Sequence, residues 1–191
     1  MANILVHVGH PAHVHFYKNA IQQLKTTGHN IHVTAVDKEH TKTLLEKYSI
    51  PYETVGTHKK TLTGKFTSML SYDRKLLKIM KSKRINAATG IGSPSIAQAG
   101  WLSKTPSIIF TDTEAATTGN KFMAPFATVI ATPECYPGDY GKKHARYRGY
   151  QELAYLHPNY FTPDSTTLAE NGLKKKGTIH CSKIRITGLP T

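Results

Sequence analysis

The 191 residues, 39% of them hydrophobic, suffice for one substantial domain, and no apolar run nears the roughly 18 residues that a membrane span needs. Two cysteines, Cys135 and Cys181, make neither a disulfide framework nor a metal motif, and Met1-Ala2-Asn3 leads directly into an apolar run without room for a signal peptide. A cytoplasmic protein is therefore expected. The net charge of +13 is local: nine basic residues against one acidic give residues 57–85 a charge of +8, and residues 174–191 carry +5, whereas residues 1–56 and 86–173 carry only +1 and −1.

Asn3 to Gly9 reads as a buried strand. It feeds the turn Gly9-His10-Pro11-Ala12-His13 and a helix from about Val14 to Gly28, with Phe16, Tyr17, Ala20, Ile21 and Leu24 on one face. Asn30 to Val36 alternates as a second strand, Asp37 is placed to cap a helix reaching Tyr48, and Pro51 to Val55 is a third strand. Thr57 to Gly64 is a polar, basic loop before a helix from about Ser68 to Lys83, with Leu70, Leu76, Leu77 and Met80 inward and Lys75, Lys78, Lys81 and Lys83 in solvent. Asn86 to Gly90 is a small-residue strand opening into Gly90-Ile91-Gly92-Ser93-Pro94, where Ser93 can cap a helix from Ser95 to Leu102 and Pro94 fits its first turn. Ser107 to Phe110 is a core strand, Phe122 to Phe126 a short helix and Ala127 to Ala131 a further strand. Lys142 to Arg148 is basic, Leu168 to Leu173 forms about one helical turn, and the tail from Lys174 matches no pattern before it. The series predicts an α/β fold, a Rossmann-like doubly wound parallel sheet over residues 1–163, followed by a linker and a shortened start of a second domain at 164–191.

Four groups of residues carry chemistry. His10 and His13 sit at the carboxyl end of the first strand, where a parallel sheet binds ligands, and His15 follows on the helix. A histidine there can act as general base or donate to a sugar or phosphate. The spacing of His10 and His13 without a third ligand does not predict a metal site, and no cofactor is expected. Asp112 and Glu114 end an apolar strand, where carboxylates must be exposed or paired, and they suit a general base or hydroxyl binding. Gly90, Gly92 and Ser93 offer an anion the N-terminus of a helix, or simply let the helix pack closely. Glu134 and Glu152 can bond a sugar hydroxyl, or pair with Arg148. An anionic membrane surface met by the 57–85 segment is a second class of reading; nucleic acid is not expected, since the basic residues lack interleaved aromatic side chains.

Gly9-His10-Pro11-Ala12-His13-Val14-His15-Phe16, Phe110-Thr111-Asp112-Thr113-Glu114, and Thr132-Pro133-Glu134-Cys135 with the stretch from Arg148 to Pro158 together resemble the DUF354 family. Its members look like two-domain GT-B proteins related to UDP-N-acetylglucosamine 2-epimerases and MurG-like glycosyltransferases. The resemblance runs from about residue 3 to residue 173, with none through the tail. It implies the N-terminal half of a GT-B fold, which in such relatives holds the acceptor while the second domain binds most of the nucleotide sugar. Taken with the residue readings above, it makes His10, His13, Asp112 and Glu114 the expected catalytic residues, and Gly9, His15, Gly90, Gly92, Ser93, Glu134 and Glu152 the expected substrate contacts. Glu114 matches a carboxylate of the His-Val-Glu-Ala-Gly block of the 2-epimerases, but Ala116 to Asn120 lacks the acidic residues that follow there. Transfer from a nucleotide sugar to a hydroxyl acceptor is therefore expected before epimerisation. Family members are about twice this length, so a separately encoded C-terminal domain is an expected partner and the chain is expected to be inactive alone; its expected place is the cytoplasm, including the inner face of the membrane.

Overall fold

A computed structural model describes residues 1–56 and 62–172. The chain divides into two compact units, Met1–His157 and Pro158–Thr191. The expectations for the loop 57–61 and for the tail from Lys174 lie outside the described residues.

The first unit is a seven-stranded sheet in which every neighbouring pair is parallel. Its strands are β1 (Asn3–Val8), β2 (Asn30–Val36), β3 (Glu53–Gly56), β4 (Ala87–Ile91), β5 (Ser107–Phe110), β6 (Val129–Pro133) and β7 (His144–Tyr147), in the spatial order β3-β2-β1-β4-β5-β6-β7. Side-chain alternation along β1 divides the core. Leu5 joins one layer with Leu76, Met80, Ile96 and Ile109, while Val6 and Val8 join the other with Val14, Ile21 and Leu45. Each fully buried Leu or Ile contributes about 1.5–3 kcal/mol against its exposed state. The first layer holds α3 (Leu62–Ser82), α4 (Pro94–Ser103) and α5 (Thr117–Met123); the second holds α1 (Pro11–Thr26) and α2 (Glu39–Lys47), with α6 (Leu153–Leu156) against α1. The direction of winding reverses between β1 and β4, which opens a crevice at their carboxyl ends.

Several local expectations shift. The first helix begins at Pro11, not Val14, because proline's fixed φ suits the first helical position and the His10 side chain caps it. His13 therefore lies inside the helix rather than on the turn. Asp37 does not cap α2; the cap is Lys38, without a side-chain bond, and Asp37 pairs with Lys42 instead. The third helix starts at Leu62, and the short helix expected at Phe122 lies at Thr117–Met123. The basic run before Arg148 contains the edge strand β7. Ser93 caps α4 as expected, accepting from the N–H of Ile96 at 3.4 Å. In the second unit α7 (Ser165–Glu170) is capped by Asp164, whose Oδ1 accepts from the N–H of Thr166 at 2.8 Å. Among the described residues no helix is long and apolar enough to cross a membrane.

Candidate functional site

The crevice between β1 and β4 is a cleft of about 220 Å³ lined by His7, Gly9, His13, Tyr72, Gly92, Ser93 and Ser95, with Val36, Ile91 and Pro94 as its apolar part. The N-termini of α1 and α4 open at this edge, one in each helical layer.

Hydrogen bonding fixes the chemistry of its histidines. The N–H of Gly9 donates to His13 Nδ1 at 3.2 Å, and the N–H of Ala12 donates to His10 Nδ1 at 3.2 Å. A neutral imidazole that accepts at Nδ1 carries its proton on Nε2. Both rings therefore present Nε2–H donors, and neither offers Nε2 as a base. Burial, with the added repulsion of His7, His10 and Lys38, pulls His13 down to about 4, so it is neutral at pH 7. The two rings lie 5.9 Å apart between centroids.

His7, absent from the residues expected at the site, is the buried floor. Its Nδ1 lies 3.1 Å from Thr34 Oγ1, and a Cβ added to Gly9 would stand 3.9 Å from its Nε2. A polar residue inside the apolar run Ile4 to Val8 was the available signal. Asp73 was missed as well. It is 9% exposed, accepts a hydrogen bond from the Ser95 side chain, and is raised by burial. Its position three residues before Leu76 puts it on the inward face of α3, which the helical period shows.

The other expected residues separate into three groups. His15 leaves the cleft: its ring lies 5.8 Å from that of Tyr48 and 5.5 Å from that of Tyr155, among the helices of the second layer. Two positions along a helix rotate a side chain by about 200°, which is why His13 and His15 part. Gly90 is a packing residue, opposite His7 in the sheet; a Cβ there would meet Ser93 Cβ at 3.1 Å. Gly92 takes a φ of 49° at the turn, open to solvent, a conformation that glycine adopts without strain.

Asp112 and Glu114 are exposed in the loop after β5 and are not among the residues lining the cleft. They share its edge of the sheet, two strand spacings from β1, or roughly 10 Å. Asp112 Oδ1 accepts from Thr113 Oγ at 3.1 Å. Its charge also bears on Tyr147, at the end of β7, which burial first and Asp112 second push up to about 12. Glu134 pairs with Arg148 at 3.5 Å, both groups in solvent, and Glu152 is exposed just before α6. Arg146 ties the β6–β7 loop, donating to the carbonyls of Glu134, Tyr136 and Gly138 at 3.1, 2.7 and 2.7 Å.

The model of one family runs across these same elements. The family described as "Protein of unknown function (DUF354)" matches residues 2–182. The chain belongs to this family. The match extends to residue 182, correcting the expectation that the resemblance stops near 173. No curated protein matches by sequence. Among solved structures, MurG of Acinetobacter baumannii is similar over 78% of this chain and 46% of its own, with 14% identity and a TM-score of 0.62. The S. aureus MnaA–UDP co-structure is similar over 90% of this chain and 52% of its own, at 11% identity and a TM-score of 0.67. The spinosyn rhamnosyltransferase SpnG with thymidine diphosphate is similar over 76% and 49%, at 11% identity and a TM-score of 0.57. The DUF354 chain thus has the Rossmann-like α/β fold of a GT-B half and spans about half the length of these structures.

Proposed function

We propose that this DUF354 chain is the N-terminal half of a sugar-nucleotide-dependent, glycosyltransferase-like protein, and that its own cleft holds the hydroxyl acceptor and the near edge of the donor. The observation that carries this is the pair of locked Nε2–H donors at the β1/β4 switch point. They suit oxygen-rich ligands, phosphate or sugar hydroxyl, rather than proton abstraction. The structures similar to the chain include one in complex with UDP and one with thymidine diphosphate, in keeping with a nucleotide sugar.

In this reading His10 and His13 position the ligand and offset negative charge, and proton removal falls to Asp112 or Glu114, which are exposed and free to take it. The acceptor oxygen would bond to the anomeric carbon, its proton would pass to the carboxylate, and the nucleoside diphosphate would leave with the bonding pair. The facing wall of the cleft would come from a second domain. Transfer is favoured over 2-epimerisation because Ala116 to Asn120 supplies no further acid near Glu114.

Calorimetry with UDP-N-acetylglucosamine and with thymidine diphosphate sugars, followed by turnover assays on the 191-residue chain alone and with any separately encoded C-terminal domain, tests this. Binding that weakens by about tenfold or more in His13→Ala, the cost of one charge-assisted donor, is the expected result. Absence of binding and turnover in both settings refutes it.

A further inference from the structure

The layer of α3, α4 and α5 turns an apolar patch to solvent. Trp101, Leu102 and Phe122 are 61%, 52% and 52% exposed, unusual values for large side chains in adjoining helices. The three helices are neighbours: Ser103 Oγ donates to Met80 Sδ at 3.3 Å between α4 and α3, and Gln98 Nε2 donates to the Phe122 carbonyl at 3.3 Å between α4 and α5. The Trp101 ring is held edge-on to Phe126, 5.5 Å between centroids, beside a surface cleft of about 570 Å³.

The helices that carry this patch also carry exposed cations and only one carboxylate, and Lys104 lines the cleft beside Trp101 and Leu102. Arg74, Lys78 and Lys81 on α3, Lys104 at the end of α4 and Lys121 on α5 are all exposed. From Ser71 to Thr111, and again from Ala115 to Pro133, the sequence contains a single carboxylate, Asp73, and it is buried. A helix face that is merely solvated needs neither one sign of charge nor a bare tryptophan. Exposed aromatic and aliphatic side chains on adjoining helices that also bear exposed Lys and Arg match the boundary between acyl chains and anionic headgroups. A nucleic-acid track would instead present repeated free ring faces, whereas the Trp101 ring already packs against Phe126.

We infer that the α3–α5 layer docks on an anionic lipid bilayer, with Trp101, Leu102 and Phe122 entering the interface and Arg74 and the lysines neutralising headgroup phosphates. Docking here is independent of the sugar-nucleotide reading and uses a different surface from the β1/β4 cleft.

Trp101 is the chain's one tryptophan, so its fluorescence reports on this patch alone. With vesicles of equal parts phosphatidylcholine and phosphatidylglycerol, its emission shifts to the blue and is quenched by brominated acyl chains. With phosphatidylcholine alone, binding is at least about tenfold weaker, and added salt weakens it further. Cosedimentation of the full chain carrying W101S, L102S and F122S together falls by about tenfold or more, and so does that of K78Q/K81Q, which leaves the apolar patch intact. No partition at low salt, partition with Trp101 emission unchanged, or binding by either variant as tight as that of the unaltered chain overturns the proposal. So does tight binding of duplex DNA by a chain that ignores the vesicles, which would assign the layer to nucleic acid.

Discussion

The carboxyl edge of the sheet is built in two contrasting ways. Between β1 and β4 each ring is held by a hydrogen bond: the backbone N–H of Gly9 on His13, that of Ala12 on His10, and the Thr34 hydroxyl at buried His7. From β5 to β7 the charged groups named above stand in water, with Asp112, Glu114, Glu134 and Arg148 all exposed. The first end has its protons and orientations set before any ligand arrives; the second has its charges placed but not aimed. Preorganised donors suit binding, whereas carboxylates left in water gain direction only when another surface excludes that water. The difference fits the proposal that a second domain supplies the facing wall.

The contrast is broken most strongly through the support beneath each end. Ile96 is fully buried below the N-terminus of α4, where Ser93 and Gly92 bound the cleft. Ile96→Ala should cost about 2–5 kcal/mol in urea unfolding, the usual range for a large-to-small change in a core. Glu134→Ala, at the open end, should stay within about 0.5 kcal/mol. Comparable losses would mean that the open end is as structurally committed as the closed one.

The next effect is pH-dependent. His13 falls from an ordinary 6.5 to about 4 in the folded chain, chiefly through burial. Between these values the unfolded chain binds more protons than the folded one, so stability is fully present above pH 6.5 and is lost as pH falls towards 4. The shift corresponds to about 3 kcal/mol over that window. His13→Gln, which keeps an acceptor for Gly9 N–H but does not titrate, should flatten this slope. Nitrogen NMR should show His13 protonated on Nε2 at pH 7; a proton on Nδ1 would undo the donor assignment.

A smaller effect links the open end to its own strand. Asp112→Asn should lower the Tyr147 phenol from about 12, yet leave it above roughly 10, since burial is the larger cause. Tyrosine-selective NMR through alkaline pH reads this. A return to the ordinary value would make Asp112, and not burial, the dominant influence, and would tie that carboxylate more firmly to β7.

How much of this was legible follows from which forces act locally. The apolar runs gave the strands β1, β2 and β5, and Ser93-Pro94 gave the start of α4, because capping and proline's φ are read within a few residues. Pro11 carried the same signal for α1, but His10 is outside the usual capping residues, so the start fell three residues late. Clustering in sequence misplaced His15, since the helical turn, not adjacency, decides direction. β7 was hidden because an edge strand of four residues, Lys-flanked and half exposed, has neither length nor a buried face to mark it. Ile108, in what reads as a wholly buried strand, is 41% exposed beside an apolar groove with Phe16 and Phe110, since β5 is fully covered on only one face. That the carboxylates share an edge with the histidines was readable; that two strand spacings separate them required the strand order.

The smallest expected effect concerns the Arg148–Glu134 pair, 89% and 59% exposed at 3.5 Å. In water such a pair gains little Coulomb energy and loses side-chain entropy, and salt screens it further. A double-mutant cycle with Arg148→Ala and Glu134→Ala should give a coupling of about 0.5 kcal/mol or less, vanishing in high salt. A coupling above about 1 kcal/mol that survives salt would show the two groups held in a fixed geometry. The open end would then be organised in the isolated chain, and the need for a facing domain to orient it would disappear. A rise in coupling only when a second domain is added would show the reverse: that covering this edge removes the water that now keeps the pair weak.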